Sequence, residues 1–179
     1  ALLASGAEAV GVMQRLLHEE HFVGHPRLIR LTNLNGAYAD PATPLHWRQD
    51  ARFSGRNVLT LGIYAEVLQR WLGPVVELAA LLSTHVPMRL SPTDTHQMVH
   101  VEIPDSVSIV GRMESGADLT IDMSGVVRHG PQDTIEIYGD AGALIYNFAE
   151  DTIGGQQKAG PWSEIEISPE DERRWTVED

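Results

Sequence analysis

Tyr64 carries the side chain of this chain that is best suited to handling a proton. With Asn57 and Thr60, it lies in a stretch whose apolar residues recur at helical spacing. On a helical wheel the three side chains fall within about 60° of one another, at the margin of the apolar stripe. Because the free phenol has a pKa of about 10, acid–base work requires a nearby cation or a relay. The alternative is a boundary tyrosine that packs its ring and leaves its oxygen in water.

A second polar cluster, formed by Trp47, Arg48 and Asp50, precedes the expected helix. The guanidinium of Arg48 could hold a carboxylate or sugar hydroxyls through its fork of donors, beside a flat wall supplied by Trp47. The alternative is a structural pair between Arg48 and Asp50 next to a packed indole. Arg56 and Asn57, near the expected helix N-terminus, could meet an anion, or they could simply cap the helix.

Two histidine pairs have spacings that invite comparison with zinc sites. His96 and His100 are four positions apart, but the metalloprotease motif needs a helical glutamate directly after the first histidine, where this chain has Gln97 in a strand-like stretch. His18 and His21 lie at the expected end of a helix. We therefore expect no metal site.

The composition excludes several classes of function. The 179 residues include 13 basic and 25 acidic side chains, which gives a formal net charge of −12. Such a surface repels nucleic acids and anionic membranes, and no apolar run approaches the roughly 18 residues of a membrane span. The absence of cysteine agrees with a cytoplasmic location. Neither a dinucleotide-binding G-x-G-x-x-G nor a phosphate-binding G-x-x-x-x-G-K-[ST] motif is present.

Hydrophobic periodicity predicts two helices and then a run of strands. The first helix starts at a capping box, Ser5–Glu8, and ends near 22–24; the second runs from Ser54 to Leu72, before Gly73 and Pro74. Strands are expected over 27–34, 75–86 (a buried helix is the alternative there), 96–103, 107–113, 117–123, 134–138, 143–148 and 163–167. The predicted class is α+β: a single domain over 1–179, with a predominantly antiparallel sheet, helices on one face and a frayed tail at 169–179.

Short motifs follow one another in a characteristic order: HFVGHP at 21–26, WRQD at 47–50, SG at 54–55, GIY at 62–64, WLG at 71–73, PDS at 104–106 and IYGDAGAL at 137–144. This order resembles the C-terminal, substrate-binding and oligomerisation domain of the Gfo/Idh/MocA family of NAD(P)-dependent oxidoreductases. The corresponding family patterns include G-x-I-G, W-R-x-D, S-G-G, D-x-G-x-H, W-L-G and G-x-x-G-x-L.

The resemblance implies hydride transfer to or from a sugar, polyol or related hydroxy compound. Tyr64 stands where many members carry histidine; a branch that includes glucose–fructose oxidoreductase carries G-I-Y as here, which implies that Tyr64 handles the proton. The implied substrate-side residues are Trp47, Arg48, Asp50, Arg56, Asn57 and Thr60, the last of which replaces a common aspartate.

NAD or NADP is implied as the cofactor, bound mainly by an N-terminal Rossmann domain of the same parent protein. The glycine-rich loop and Glu-Lys-Pro lysine of that domain do not occur in this sequence, so we expect the isolated chain to be inactive. The alternative function is a non-catalytic binding or dimerisation module. In that case a homo-oligomer would form through the sheet, and the side of 96–102 that carries His96, Met98, His100 and Glu102 is a candidate interface.

Overall fold

A computed structural model describes residues 9–94, 96–131, 133–158 and 160–167 of the chain. The helices are α1 over 9–19, whose last turn (Arg15–Glu19) is a π-helix, α2 (Ala51–Ser54) and α3 (Leu61–Leu72); a 3-10 turn spans Trp47–Gln49. The strands are β1 (Pro26–Leu34), β2 (Val75–Ser83), β3 (Met88–Leu90), β4 (Met98–His100), β5 (Ser106–Met113), β6 (Asp118–Ser124), β7 (Thr134–Gly139), β8 (Gly142–Asn147), β9 (Thr152–Gln157) and β10 (Ser163–Ile165). The predicted capping box at Ser5–Glu8 and the tail at 169–179 lie outside the described residues.

Eight of these strands form one sheet in the order β10-β9-β8-β7-β1-β6-β5-β2. β1 runs parallel to β6, and every other neighbouring pair is antiparallel. β1 therefore lies in the middle of the sheet, although it comes first in sequence. β3 and β4 form a separate two-stranded ribbon.

The core lies between one face of the sheet and the helices. Because side chains alternate along a strand, every second residue of the central strands points inward. Buried examples are Ile29, Leu31, Ile109, Leu119, Ile121, Ile135 and Ile137. Met13 and Leu16 of α1 and Leu68 and Trp71 of α3 complete the same cluster. Burial of each such side chain contributes roughly 1.5–3 kcal/mol. The predicted α+β class, with a mainly antiparallel sheet and helices on one face, is confirmed.

The stretch predicted as one helix from Ser54 to Leu72 forms two helices, so that prediction is wrong. Gly55 adopts a φ of 61° and its N–H donates to the Ala51 carbonyl at 3.0 Å, which closes α2. Leu59 also has a positive φ, 53°, so the backbone leaves helical geometry before α3 begins. The wheel that grouped Asn57 with Tyr64 does not apply, because Asn57 lies in the connecting turn.

The predicted stop after Leu72 is confirmed. Gly73 has a φ of 82°, and its N–H donates to the Gln69 carbonyl at 3.0 Å. The first helix ends at Glu19, earlier than predicted, and His21 then adopts a φ of 50° that a helix does not permit.

Two strands are missing from the sequence-based prediction. β9 contains Gly154 and Gly155, which weaken the pattern of alternating side chains. The structure uses both for close packing, because a Cβ on Gly154 would lie 2.7 Å from Cζ2 of Trp162 and one on Gly155 would lie 2.9 Å from Cδ2 of Leu144. β3 has only three residues, and its pairing with β4 places the predicted 96–103 strand outside the main sheet.

Candidate functional site

Tyr64 is buried, with 3% of its surface exposed, so its predicted boundary position is wrong. The inward face of α3 carries Tyr64, Leu68 and Trp71, which follow one another at the four- and three-residue spacing of one helix face. The Tyr64 ring packs edge-on against Phe148, with 5.1 Å between ring centroids. The apolar stripe predicted for the 54–72 helix, which comprises Val58, Leu61, Ala65, Leu68 and Leu72, is only partly confirmed: Leu68 lies on this buried face, whereas Leu61, Ala65 and Leu72 are half-buried.

The Tyr64 hydroxyl lies in a polar network rather than among hydrocarbon side chains. Nδ2 of Asn33 donates to the phenol oxygen at 2.7 Å, and the phenol donates to Oδ2 of Asp133 at 3.0 Å. A further contact joins Asn35 Nδ2 to Asn33 Oδ1 at 3.2 Å, so the network extends from exposed Asn35 to the buried phenol. Thr60 also interacts with this hydroxyl and lowers the pKa of Tyr64.

Strand pairing brings these groups together. Asn33 follows Ile29 and Leu31 at the inward positions of β1, so its amide points to α3. Asp133 immediately precedes β7, the antiparallel neighbour of β1, and Thr32 pairs with Thr134 at that end. The C-terminal end of β1 and the start of β7 thus deliver an amide and a carboxylate to the same phenol.

The electrostatics of the site keep the phenol neutral. Burial raises the pKa of Tyr64, and the Asp133 carboxylate raises it further, while Asn33 opposes the shift as a donor. Burial also raises the pKa of Asp133, against the effect of its hydrogen bonds with Tyr64 and Asn33. Because both the phenolate and the carboxylate are disfavoured, the pair is suited to holding and passing a proton.

Exposed Trp47 and half-buried Arg48 stack to form a flat surface. The indole is 50% exposed, and the Arg48 guanidinium carbon lies 4.1 Å from its ring centroid. Nδ1 of His46 accepts the Arg48 backbone N–H at 3.2 Å, so this nitrogen carries no proton. The Tyr38 hydroxyl, 3.2 Å from the same nitrogen, must therefore be a donor to it. Burial, and then the Arg48 charge, lower the pKa of His46 and keep it in this acceptor form. The indole thus packs on one side against Arg48 and near the His46 ring and leaves half of its surface exposed.

Asp50 pairs with Arg52 rather than with Arg48. Oδ2 of the buried carboxylate accepts from Arg52 Nη2 at 2.5 Å, and Oδ1 accepts the Arg52 backbone N–H at 2.9 Å, which caps α2. The hydrogen bond with the guanidinium lowers the pKa of Asp50. This carboxylate has a structural partner on each oxygen, so it is poorly placed to bind a substrate directly.

The remaining three predicted site residues surround the start of α3. Asn57 caps it, because its Oδ1 accepts the Gly62 N–H at 3.2 Å. Thr60 is the N-cap residue, half-buried, and its hydroxyl reaches Tyr64. Arg56 is exposed on the turn between the helices. Capping therefore accounts for Asn57, and among these three it is Thr60 that joins the network around the phenol.

Sequence reasoning missed Asn33 and Asp133. A signal for Asn33 exists, since it is a polar residue at an inward position of a strand that otherwise buries isoleucine and leucine. Asp133 has no such local signal, because its role depends on the pairing of β7 with β1.

The described residues contain no group of three or more His, Asp or Glu side chains that could hold a metal ion. Within the same residues, no helix has both the length and the apolar character needed to cross a membrane.

The Gly139–Gly142 segment is a hairpin turn between β7 and β8, not a phosphate loop.

Comparison with known proteins decides the family. A family model described as the GFO/IDH/MocA C-terminal domain matches residues 13–145. The chain belongs to this family. An uncharacterized oxidoreductase of Synechocystis sp. is 27% identical over 124 residues, which cover 69% of this chain and 33% of that protein. The resemblance inferred from the motifs at 21–26, 47–50 and 62–64 is confirmed.

Solved structures share the fold of this GFO/IDH/MocA C-terminal domain. Levoglucosan dehydrogenase in complex with NADH and L-sorbose superposes with a TM-score of 0.82 at 22% identity, over 99% of this chain and 50% of that chain. A super-repressor mutant of Gal80p from Saccharomyces cerevisiae gives a TM-score of 0.70 at 13% identity, over 90% of this chain and 44% of that chain. The chain thus spans a third to a half of the length of these proteins.

Proposed function

We propose that this chain is the substrate-binding domain of an NAD(P)-dependent oxidoreductase that acts on a sugar, a polyol or a related hydroxy compound. The observation that carries the proposal is the Tyr64 hydroxyl, held between Asn33 and Asp133 in a buried polar network. In such a reaction the cofactor takes or gives the hydride, and the protein must move the hydroxyl proton. A neutral phenol beside a proton acceptor can do this. The NADH and L-sorbose bound by levoglucosan dehydrogenase support the assignment of cofactor and substrate class.

The residues predicted for the site have different proposed roles, according to where they lie. Tyr64 takes or gives the substrate hydroxyl proton, and half-buried Thr60 is the neighbour of its hydroxyl on α3. Trp47 and Arg48 offer a flat face and a fork of donors to sugar hydroxyls. Asp50 acts indirectly, by holding α2 next to this surface.

The nucleotide would be held mainly by another part of the parent protein. This sequence has no glycine-rich phosphate loop, and the groups around Tyr64 are suited to a hydroxyl rather than to a pyrophosphate. A bound nicotinamide would exchange a hydride with the substrate carbon. We assign its binding to an N-terminal nucleotide-binding domain of the same cytoplasmic protein.

The experiment compares the longer protein with the 179-residue chain. NAD(P)H absorbance is followed with a panel of sugars and polyols, with NAD and NADP tested separately. We expect turnover by the longer protein and none by the chain alone. Normal turnover by the chain alone would contradict the proposal, and so would inactivity of the longer protein with every substrate and both cofactors.

A second candidate is a non-catalytic binding or dimerisation module. The uncovered face of the sheet supports it, since Leu81 is 69% and Val110 is 60% exposed on neighbouring strands. The fold itself does not decide between the two, because Gal80p, seen there as a super-repressor mutant, shares it. Self-association through this face is also compatible with the catalytic proposal, which Tyr64 substitution tests separately.

A further inference from the structure

We propose that Asp133 is the terminal proton acceptor of a relay that passes through Tyr64; this inference rests on the proposed oxidoreductase function. Asp133 does not touch the substrate. It positions the Tyr64 hydroxyl and receives the proton that leaves Tyr64. A phenol can make three hydrogen bonds, because it donates one O–H and accepts on two lone pairs.

Two of these three positions have partners. The O–H points to Oδ2 of Asp133 at 3.0 Å, and one lone pair accepts from Asn33 at 2.7 Å. Tyr64 therefore has no spare proton to offer a substrate. A substrate hydroxyl can enter only as a donor to the second lone pair, where half-buried Thr60 is the neighbouring group. The proton of Tyr64 must then leave toward Asp133.

During oxidation the step balances as follows. The substrate O–H bond breaks as its proton bonds to the Tyr64 oxygen, and the Tyr64 O–H bond breaks as that proton bonds to Oδ2 of Asp133. The carbinol C–H bond breaks with its electron pair, which the oxidised nicotinamide of the proposed function accepts as hydride. The products are a carbonyl compound, a reduced nicotinamide, a neutral Tyr64 and a neutral Asp133.

The surroundings favour the protonated product. Burial raises the pKa of Asp133, so this carboxyl accepts a proton more readily than one in water. Among the described residues, its hydrogen-bond partners are the Tyr64 phenol of α3 and the uncharged Asn33 amide of β1. Tyr146 of β8, with its Asp151 partner, interacts electrostatically with Tyr64. Reduction runs the same relay backward and requires Asp133 to be protonated first.

The chain contains a matched control for Asp133. The Tyr146 hydroxyl donates to Oδ1 of Asp151 at 2.7 Å, and the Tyr146 ring packs 4.6 Å from that of Phe148. Tyr64 packs on the same phenylalanine. Both pairs thus join a buried tyrosine to an aspartate in one aromatic cluster, but the relay uses only the first.

The first test uses the 179-residue chain and needs no activity. 3-Fluorotyrosine is placed at position 64 and titrated by ¹⁹F NMR in the wild type, Asp133→Asn and Asp151→Asn. Removal of the Asp133 charge should lower the pKa of the fluorophenol more than removal of the Asp151 charge does. A resonance that titrates identically in Asp133→Asn and the wild type would overturn the inference, provided thermal melts show that both are folded.

The second test uses the longer protein with its nicotinamide cofactor and an active substrate. Asparagine preserves the shape of Asp133 but cannot take a proton, so kcat should fall about 100-fold while KM stays within about 2-fold. In the oxidation direction, which requires ionised Asp133, the fall of kcat at low pH should also disappear. Asp151→Asn should keep both the wild-type kcat and this fall at low pH. A wild-type kcat and pH profile in Asp133→Asn would overturn the relay but leave the proposed function standing. Inactivity of the wild type with all substrates would overturn the function, whatever the ¹⁹F result.

Discussion

The Tyr64 hydroxyl donates to the Asp133 carboxylate across 3.0 Å, although 69 positions of sequence separate the two residues. The contact exists because β7 returns beside β1, and Asp133 immediately precedes β7. Asn33 approaches the same oxygen from β1, so three elements of the fold meet at one phenol. This meeting point connects the sheet topology to the proposed chemistry.

Asp133→Asn should stabilise the fold at pH 8 and lose that advantage toward pH 4. Burial raises the folded-state pKa of Asp133, so the contribution of this carboxyl to stability is fully present below its unfolded pKa and is lost as pH rises through its folded pKa. Asparagine removes the charge that is costly to bury at high pH. Thermal melts of both proteins across this pH range measure the difference. An Asp133→Asn variant that is less stable than the wild type at pH 8 would contradict the burial argument.

Asp50→Asn is the control of opposite sign. The hydrogen bond with Arg52 lowers the folded-state pKa of Asp50. The contribution of this carboxylate to folding stability is therefore present above its unfolded pKa and is lost as pH falls through its folded pKa. This variant should therefore be less stable than the wild type near pH 7 and approach it in acid. A destabilisation that does not change with pH would show that the ion pair is not responsible.

Arg89→Met should destabilise the chain by about 3 kcal/mol. Arg89 is 0% exposed and donates to the backbone carbonyls of Tyr38, Asp40 and Thr43, which fix the loop that leads to Trp47. Methionine fills the space but leaves these acceptors without their donor. Urea unfolding measures the change, with Arg70→Met as the control.

Arg70 forms an exposed pair with Glu66 one helical turn away, and such a pair contributes about 0.5 kcal/mol. Equal losses in Arg70→Met and Arg89→Met would contradict the role assigned to the buried guanidinium.

Sequence patterns predicted the features of this domain that depend on local periodicity. They located seven strands of the main sheet, the stop at Gly73 and the motif order that led to the family. They failed where a backbone conformation overrides periodicity, as at Gly55 and Leu59, whose positive φ angles divide the predicted helix. They also paired Asp50 with the wrong arginine, because two arginines lie within two positions of it and only the local turn selects Arg52. The contact between Asp133 and Tyr64 could not be predicted from local patterns, since it depends on the order of the strands in the sheet.

Under the second candidate function, two copies pair through the uncovered sheet face, and Leu81→Arg should then leave the chain a monomer of 19.7 kDa. Leu81 lies on the uncovered face opposite Ser108 of β5, where an arginine would be buried without a partner if two sheets pack together. Multi-angle light scattering at several concentrations measures the mass. Met98→Arg, on the β3–β4 ribbon, tests the other predicted interface and should leave the mass unchanged.

A wild-type chain that stays monomeric at high concentration would contradict association through either surface. Loss of association in Met98→Arg alone would move the interface from the sheet to the side that carries His96 and His100.

The central claim is that the Tyr64 hydroxyl moves the substrate proton, and the kcat of Tyr64→Phe in the longer protein tests it most directly. The substitution removes one oxygen, so kcat should fall about 10²–10⁴-fold with KM within a few-fold, and the melting temperature should change by only about 2–4 °C. Tyr146→Phe removes an equivalent buried hydroxyl, bonded to Asp151, and should leave kcat unchanged. A folded Tyr64→Phe protein that turns over substrate at the wild-type rate would contradict the account.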